Sequence, residues 1–296
     1  MNLAEIYLLS SDLTILNGMF LEDFYIRKEY PNHNAFTRSM IFPVSLRADG
    51  AFSPVLVKVG RWGRLILFKF TTCTIVFRMA HNTHIKVTTD SAKLKIEKDK
   101  VVGVMALSKV PKADDKTYLF FMDPLKCGAA SAYPIGEIPT EFSYLGMDIL
   151  DLSFTTKYIM SEITKSLLLG RNLCVKSFIM DKGTVAWLDN SIATEALFIA
   201  GISPYCMVAQ LDEGHVGALV KSMKVVYRRA IELVRNDFQR IEKTNLSEIY
   251  STYGREGEQC AVCDHIIIKV ILDGLDTYMC PNCQTDKVRS EGTFNG

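Results

Sequence analysis

Four cysteines near the C-terminus constrain the fold of this chain more than any other feature. Cys260 and Cys263 form one C-x-x-C pair, Cys280 and Cys283 form a second, and sixteen residues separate the two pairs. This spacing is typical of a four-thiolate zinc site on a β-hairpin. Because four thiolates leave zinc no open coordination position, we expect one structural ion that does no chemistry. The alternative interpretation is two reduced cysteine pairs or two disulfides.

The residues between the two cysteine pairs have the pattern of a hairpin. Residues 265–272 are mostly apolar and rich in β-branched side chains, and Asp273-Gly274 is a strong two-residue turn. Residues 275–279 then lead back to the second pair. The sequence therefore predicts a small zinc finger built on a β-hairpin.

Composition gives a second constraint, on size and on charge. The chain has 296 residues and 48% hydrophobic content, which is enough for two ordinary domains in addition to the small zinc module. Its 34 basic residues oppose 33 acidic ones, for a net charge of +1. Proteins that grip DNA mainly through its phosphates usually have a clearer basic excess. The overall charge therefore argues against a broadly basic DNA-binding surface.

Cysteine usage and hydropathy indicate a compartment. Cys73, Cys127, Cys174 and Cys206 are scattered without a pattern in apolar surroundings, so we expect buried free thiols and a reducing environment. The first residues lack a basic segment followed by an apolar one, and no apolar run approaches the roughly 20 residues needed to span a bilayer. We expect a soluble intracellular protein, cytoplasmic or nucleoid-associated, or nuclear in a eukaryote, with no membrane partner.

The N-terminal half predicts one helix followed by a β-sandwich or barrel. Apolar residues recur at three- and four-residue intervals from Asn2 to about Asp23, which indicates a helix. Short β-rich runs follow up to about Phe121. The predicted strands are 52–59, 65–70, 73–79, 84–88, 93–96 and 117–122. Arg61 and Arg64 lie at a predicted hairpin tip, where they either reach a phosphate or decorate a solvated turn.

The C-terminal half is predicted to be helical as far as the zinc finger. Ser153 or Thr155 can cap a helix that ends at Gly170, and residues 192–200 and about 211–234 read as two more helices. The last helix carries a basic row opposite its apolar stripe. Its members are Lys221, Lys224, Arg228 and Arg235. Such a row can follow a phosphate backbone, but a solvated helix face is the default interpretation.

Several segments together resemble one known family. Residues 253–260 read Y-G-R-E-G-E-Q-C and residues 280–284 read C-P-N-C-Q, which is similar to the terminal zinc finger of the formamidopyrimidine-DNA glycosylase and endonuclease VIII family. Residues 175–181 and 190–204 resemble that family's helix-two-turn-helix motif. Asp123-Pro124 with Gly128 resembles its D-P-R-R-F-G loop. The landmarks occur in the family's order over nearly the whole chain.

The resemblance implies an α+β multidomain fold with an N-terminal helix plus β-sandwich, a helical domain with a helix-two-turn-helix motif, and a C-terminal zinc β-hairpin finger. The corresponding boundaries are 1–133 for the glycosylase-like sandwich domain, 134–150 for a linker, 151–245 for the helix-two-turn-helix DNA-binding domain, 246–285 for the zinc finger and 286–296 for a tail. It further implies a role in base excision repair, a Zn²⁺ ion on the four cysteines, and double-stranded DNA, possibly abasic or damaged, as partner.

The residues that would carry catalysis depart from the family pattern. Met1 and Asn2 stand where the family has its nucleophilic proline and its catalytic glutamate. An asparagine amide cannot exchange protons as a carboxylate does, whereas the Met1 α-amine remains a candidate Schiff-base nucleophile. Leu275 stands where the family has an arginine that clamps phosphates, and a leucine forms no charge-assisted hydrogen bond.

The candidate DNA-binding residues are carried over from the same resemblance. Arg64 is similar in position to the family's hairpin lysine and Met79 to a wedge methionine, while Lys126 lies in the D-P-L-K-C-G loop. Lys176 lies in the helix-two-turn-helix motif. Asn190 is retained from the family's G-x-G-N turn, although here Trp187 and Asp189 replace its glycines.

Two hypotheses therefore compete on function. The first is a DNA glycosylase relative with impaired base-excision chemistry that acts as a binding module, with DNA or a protein of DNA metabolism as its partner. The alternative is an active DNA glycosylase or abasic-site lyase that uses the Met1 α-amine, or a chain whose true start differs. Trapping with borohydride on abasic duplexes separates the two.

Overall fold

The computed structural model describes residues 3–26, 53–80, 83–90, 100–236 and 249–285. The chain forms two compact units, Met1–Ser143 and Tyr144–Gly296. Among the described residues, no helix has both the length and the apolar character that a bilayer crossing requires. Each unit has its own organisation and is described separately.

The first unit begins with a helix that is shorter than the sequence predicted. Helix α1 spans Leu3–Asp12 and a 3-10 turn follows at Leu13–Leu16. The predicted continuation to about Asp23 is wrong, because Gly18 takes a left-handed φ of 87° and the chain turns into strand β1, Phe20–Ile26. The apolar spacing continues through this break, and glycine at the turn is what ends the helix.

Two four-stranded antiparallel sheets form a β-sandwich, as predicted. Their strand orders are β1-β6-β7-β5 and β2-β3-β4-β8. The remaining strands are β2 Leu56–Trp62, β3 Leu65–Phe70, β4 Cys73–Arg78, β5 His84–Thr88, β6 Val101–Ser108, β7 Lys116–Met122 and β8 Ala129–Pro134. The sequence missed β1, β6 and β8, and the predicted strand at 93–96 lies outside the described residues. β6 and β8 read as nearly continuous small and apolar runs, which lack the alternation that marks a half-exposed strand.

Aromatic side chains fill the space between the two sheets. Phe77 of β4 stacks on Phe121 of β7 with ring centroids 3.5 Å apart and planes 6° apart. Phe68 meets both rings edge-on, and its side chain is fully buried. Such contacts add roughly 1 kcal/mol per pair to the burial of apolar area. This core holds the sandwich together without any metal or disulfide among the described residues.

The described residues of the second unit form four α-helices before the finger. They are α2 Thr156–Leu168, α3 Val175–Met180, α4 Asn190–Ile199 and α5 Glu213–Asn236. The hydroxyl of Thr155 accepts from the Tyr158 N–H at 3.3 Å and caps α2, as predicted. Gly170 and Gly201 have positive φ just after α2 and α4, so both helices end at the expected glycines.

The finger is a hairpin of two strands, β9 Ile268–Leu272 and β10 Leu275–Met279. Asp273 and Gly274 connect them with φ values of 50° and 74°. Positive φ at both turn residues is the signature of a type I′ turn, which the Asp-Gly pair predicted. The hairpin brings the two cysteine pairs together at its open end.

Candidate metal centre and nucleic-acid interface

The four finger cysteines converge on one point. The thiol sulfurs of Cys260, Cys263, Cys280 and Cys283 all lie within 4.8 Å of one another. Individual separations are 3.3 Å between Cys263 and Cys283, 3.4 Å between Cys263 and Cys280, and 3.9 Å between Cys260 and Cys283. A tetrahedron with Zn–S bonds of about 2.3 Å has sulfurs about 3.8 Å apart. The donor set and its spacing fit one zinc ion, and they exclude two separate sites.

Hydrogen-bond donors point at three of the four sulfurs, although burial raises the pKa of the Cys280 and Cys283 thiols. The Val262 N–H points at the Cys260 sulfur at 3.5 Å, and the Cys283 N–H points at the Cys280 sulfur at 3.4 Å. A hydrogen bond from the Asn282 side chain lowers the pKa of the Cys263 thiol to about 6. Donors aimed at sulfur favour the thiolate, which is the form that binds zinc.

The cysteine cluster packs on helix α4 through apolar contacts. Cys260, Cys280 and Cys283 form one buried cluster with Phe198 of α4 and with Ile267. Gln284 adds a polar link, because its side-chain amide donates to the Ile202 carbonyl at 3.0 Å and its carbonyl accepts from the Cys280 N–H at 3.0 Å. The metal centre and the end of α4 are therefore one packed body.

A buried carboxylate joins α4 to the segment that enters the finger. Glu195 is 1% exposed, and its two oxygens accept three backbone N–H groups. The donors are Ser251 at 2.9 Å, Thr252 at 2.6 Å and Tyr253 at 2.6 Å. Burial raises the pKa of Glu195, while the three amides and the nearby Arg255 act in the opposite direction. These bonds satisfy amides that would otherwise be buried without partners.

Lys176 of α3 is buried against the finger hairpin. Only 1% of it is exposed, and its amine donates to the Thr277 hydroxyl and, at 3.5 Å, to the Asp276 carbonyl. Burial lowers the pKa of Lys176 to about 8, although Asp273 and Asp276 act in the opposite direction. The charge of this predicted DNA-binding residue therefore points into its own chain.

Asn190 also bonds to the hairpin. Its side-chain amide donates to the Asp276 carbonyl at 2.8 Å, and its side-chain oxygen is buried without a hydrogen-bond partner in the described part of the chain. Just before it, Trp187 adopts a φ of 55°. This left-handed conformation costs a non-glycine residue roughly 1 kcal/mol, and it is the conformation that a glycine at this position would adopt freely.

Acidic side chains surround this docking point. Asp273 and Asp276 are exposed on the hairpin, and Asp273 accepts a hydrogen bond from Ser177 of α3. The charge of Asp189 acts on both Tyr250 and Tyr253, two tyrosines that are in edge-to-face contact at 5.6 Å. We name the hairpin turn, Lys176, Asn190 and these carboxylates the finger junction. Leu275, at its edge, is 39% exposed.

The remaining candidates belong to the first unit. Arg64 is half-buried at the β2–β3 turn and its carbonyl accepts from the Met79 N–H at 2.8 Å. Met79 is 4% exposed and lies in the sandwich core. Lys126 is exposed with a φ of 53° on a loop held by Asp123, whose carboxylate accepts from the Cys127 and Gly128 amides. Met1 and Asn2 lie outside the described residues.

A domain model and several known proteins match this chain in sequence. Residues 145–240 match the model of the formamidopyrimidine-DNA glycosylase H2TH domain. The formamidopyrimidine-DNA glycosylase of Neisseria meningitidis is 28% identical over 235 residues, which cover 77% of this chain and 82% of the relative. That of Alcanivorax borkumensis is 32% identical over 177 residues, covering 58% and 64% respectively.

Solved structures agree with this match in fold. The crystal structure of the MutM (Fpg) protein of Thermus thermophilus aligns with a TM-score of 0.71 at 20% identity, covering 97% of this chain and all of that one. The Fpg of Lactococcus lactis in complex with abasic-site DNA aligns with a TM-score of 0.72 at 19% identity, covering 96% and 100%. The chain is therefore similar in sequence and in fold to the formamidopyrimidine-DNA glycosylases, and its residues 145–240 match the H2TH domain of that family.

These similarities confirm the predicted fold class, and the cysteine cluster fits the predicted zinc ion. The sandwich, the helix-two-turn-helix unit and the cysteine finger occur in the predicted order. The four cysteines can bind one zinc ion, which would be held by thiolates alone and would tie the two strands of the finger together. The scattered cysteines differ from expectation at two places, because Cys127 is exposed and Cys174 is half-buried, whereas Cys73 and Cys206 are buried.

The structure brings together some predicted residues and adds others. Lys176, Asn190 and Leu275 all lie at the finger junction, whereas Arg64, Met79 and Lys126 belong to the first unit. Sequence reasoning missed Glu195 and Thr277. The signal for Glu195 is a carboxylate in the middle of an apolar helix, because a buried charge requires fixed partners.

Proposed function

We propose that this chain is a DNA-binding member of its family with reduced base-excision activity. The observation that carries the proposal is the finger junction. There the lysine and the asparagine are hydrogen-bonded to the hairpin, and a leucine takes the place of a phosphate-clamping arginine.

Electrostatics at the junction supports weak phosphate binding at this point. Leu275 supplies no guanidinium, and the exposed carboxylates of Asp273 and Asp276 lie on the same hairpin, although the Lys269 amine 3.6 Å from Asp276 offsets part of their charge. Two like charges about 4 Å apart repel by about 4 kcal/mol at a protein surface before salt screening. The buried amine of Lys176 offsets part of this repulsion, but burial lowers its pKa and its proton is directed to the hairpin.

The ligand class is supported by relatives. The Fpg of Lactococcus lactis has been solved with abasic-site DNA and with Fapy-dG-containing DNA, and this chain has the same fold over 96% of its length. We therefore propose double-stranded DNA, abasic or damaged, as the partner, and residence with the nucleoid, or in the nucleus of a eukaryotic source.

Restoring the clamp tests the proposal. Leu275→Arg adds a guanidinium at the exposed edge of the hairpin, so we expect binding to an abasic duplex to strengthen by about tenfold, which is about 1.4 kcal/mol. Ile271→Arg is the matched control, because Ile271 is an exposed apolar residue of the same hairpin. If both variants strengthen binding equally, the gain comes from charge alone and the junction argument fails.

A trapping experiment separates the proposal from the active alternative. Borohydride reduces a Schiff base between a protein amine and an abasic sugar to a stable covalent bond. We expect little or no adduct with abasic or oxidised-base duplexes. An efficient adduct that disappears when the Met1 α-amine is blocked would establish a working lyase. Absence of duplex binding at low salt would instead favour a protein partner.

A further inference from the structure

The outward face of helix α5 concentrates positive charge in a chain that is nearly neutral overall. The segment from Lys221 to Arg235 holds five basic residues and one acidic residue, Glu232, although the whole chain carries a net charge of only +1. The basic residues are Lys221, Lys224, Arg228, Arg229 and Arg235. We call these five residues the α5 basic face. Its charge is balanced by acidic residues elsewhere in the chain.

Most of these side chains are directed to solvent. Lys221, Arg228, Arg229 and Arg235 are exposed, while Lys224 is half-buried with its amine 5.7 Å from the centre of the Phe154 ring. Within the described ranges, none of the five forms an ion pair. The cations are therefore available to an external ligand.

The basic residues of this face are regularly spaced along the helix. Lys221, Arg228 and Arg235 recur every seven residues, so they lie on one side of the helix about 10 Å apart and together span about 21 Å. Duplex DNA presents one phosphate per strand about every 3.4 Å along its axis, so a row of this length can lie along several successive phosphates. Cations three and four residues apart repel each other in the free protein, and an anionic ligand removes that repulsion.

The surroundings favour a phosphate backbone over other polyanionic surfaces. The exposed large apolar residues of the described chain include none from α5, because the apolar residues of this helix pack inward against α2 and α4. A membrane-bound helix needs an apolar face to insert, and a protein interface needs an apolar centre. A row of exposed guanidinium and ammonium groups without either is suited to phosphates that are contacted without base recognition.

We propose that the α5 basic face binds the phosphate backbone of nucleic acid without reading sequence or damage. This inference rests on the proposed function only in that both take DNA as the ligand. The finger hairpin packs on α4, whereas the basic face lies on the outward side of α5. The two surfaces are therefore separate, and the basic face contributes a general affinity for the phosphate backbone.

Salt dependence measures the general contribution. Each phosphate contact contributes about 0.9 to the slope of log affinity against log salt concentration. For the variant K221Q/R228Q/R235Q and an undamaged duplex of about 30 base pairs, we expect the slope to fall by about 2 to 3. The affinity at low salt should fall by tenfold or more. Fluorescence anisotropy titrations from about 50 to 200 mM salt provide the measurement.

A matched variant controls for the change in net charge. K157Q/K165Q/K182Q removes three exposed lysines of the same unit that lie outside α5. We expect its slope to change by less than about 1. An equal loss of slope in both variants would overturn the proposal, and so would an unchanged slope in the α5 variant. Binding to phosphatidylserine vesicles without binding to the duplex would also overturn it.

Two further measurements distinguish failure of the α5 inference from failure of the proposed function. The α5 variant should lose affinity equally for abasic and undamaged duplexes, so the ratio of the two affinities stays constant. If the triple variant does not fold, the single variant Arg228→Gln should lower the slope by about 0.9, and no change there would overturn the inference. Failure of the proposed function would appear instead as a covalent adduct, with the salt slope unaffected.

Discussion

The finger junction and the α5 basic face use the same residue types in opposite ways. At the junction, Lys176 is buried and donates to the hairpin, and exposed carboxylates surround it. On α5, four of the five cations are exposed and none is paired with a described residue. The difference shows that a basic residue in a DNA-binding motif is not necessarily a DNA contact. Its charge can be used for internal packing while another surface carries the phosphate-binding potential.

The two regions also differ in what holds them together. The finger and its junction are held together by four thiols, one buried glutamate and one buried lysine. The basic face depends on the apolar inner side of α5, which includes the fully buried Tyr227, Leu219 and Met223. Perturbations of metal, carboxylate and pH should therefore act on the junction and leave α5 almost unchanged.

Loss of the metal is expected to have the largest effect. A structural zinc ion contributes on the order of 10 kcal/mol to a small finger, because the unfolded segment has no preformed site. Cys263→Ser or a strong chelator should expose residues 249–285 to proteolysis while the amides of α5 stay protected from hydrogen exchange. Cys127→Ser, which removes an exposed thiol outside the cluster, is the control. Loss of α5 protection together with the finger would break the comparison.

Removal of the buried carboxylate should have the second-largest effect on stability. Glu195→Ala leaves three backbone amides without their acceptors, that of Thr252 buried and those of Ser251 and Tyr253 partly buried, so we expect a loss of about 3 kcal/mol in the free energy of unfolding and a fall in Tm of roughly 6 to 12 °C. Glu232→Ala removes an exposed glutamate of α5 and should change stability by less than about 0.5 kcal/mol. Thermal unfolding of both variants decides the point. A similar Tm for both would contradict the assigned role of Glu195.

Lys176 should give the junction a dependence on pH. Its pKa is about 8 in the folded chain, below the value of about 10.4 for a free lysine. The unfolded chain therefore binds more protons between these two values, so stability should rise with pH from about 8 to about 10. The penalty for burying the charge is fully present below pH 8.

The variant Lys176→Met should abolish that rise, and Lys157→Met, at an exposed site of α2, should retain it. Chemical unfolding at several pH values with zinc present gives the slope. At neutral pH we expect little net change for Lys176→Met, because the lost hydrogen bonds and the relieved burial penalty are of similar size. An equal slope in both variants would mean that another group titrates.

Substitutions on the α5 basic face should have the smallest effect on stability. K221Q/R228Q/R235Q alters exposed side chains without ion pairs in the described structure, so its free energy of unfolding should change by less than about 0.5 kcal/mol. The same variant should lose most of its salt-dependent duplex binding. A destabilisation of 2 kcal/mol or more would mean that these side chains support the fold.

The predictability of the structure followed the strength of the local signals. The type I′ turn at Asp273-Gly274, the cap at Thr155 and the helix ends at Gly170 and Gly201 were correct, because each depends on a few neighbouring residues. The predicted end of α1 was wrong, because the apolar spacing continues past Gly18 into β1. That segment is a strand because it pairs with β6, which local spacing does not reveal. Strands β6 and β8 were missed because their nearly continuous small and apolar runs lack the alternation of a half-exposed strand.

The amino-acid sequence alone indicated the metal ligands, the order of the modules and the resemblance to one family, since these reside in residue identity and spacing. Tertiary structure alone decided where each charge is directed. Lys176 and Lys221 are both helical lysines, yet one is buried by the hairpin, which is about a hundred residues away in sequence, and the other remains in solvent. Such long-range contacts fix the dielectric surroundings and the partners of a side chain, and no local pattern encodes them.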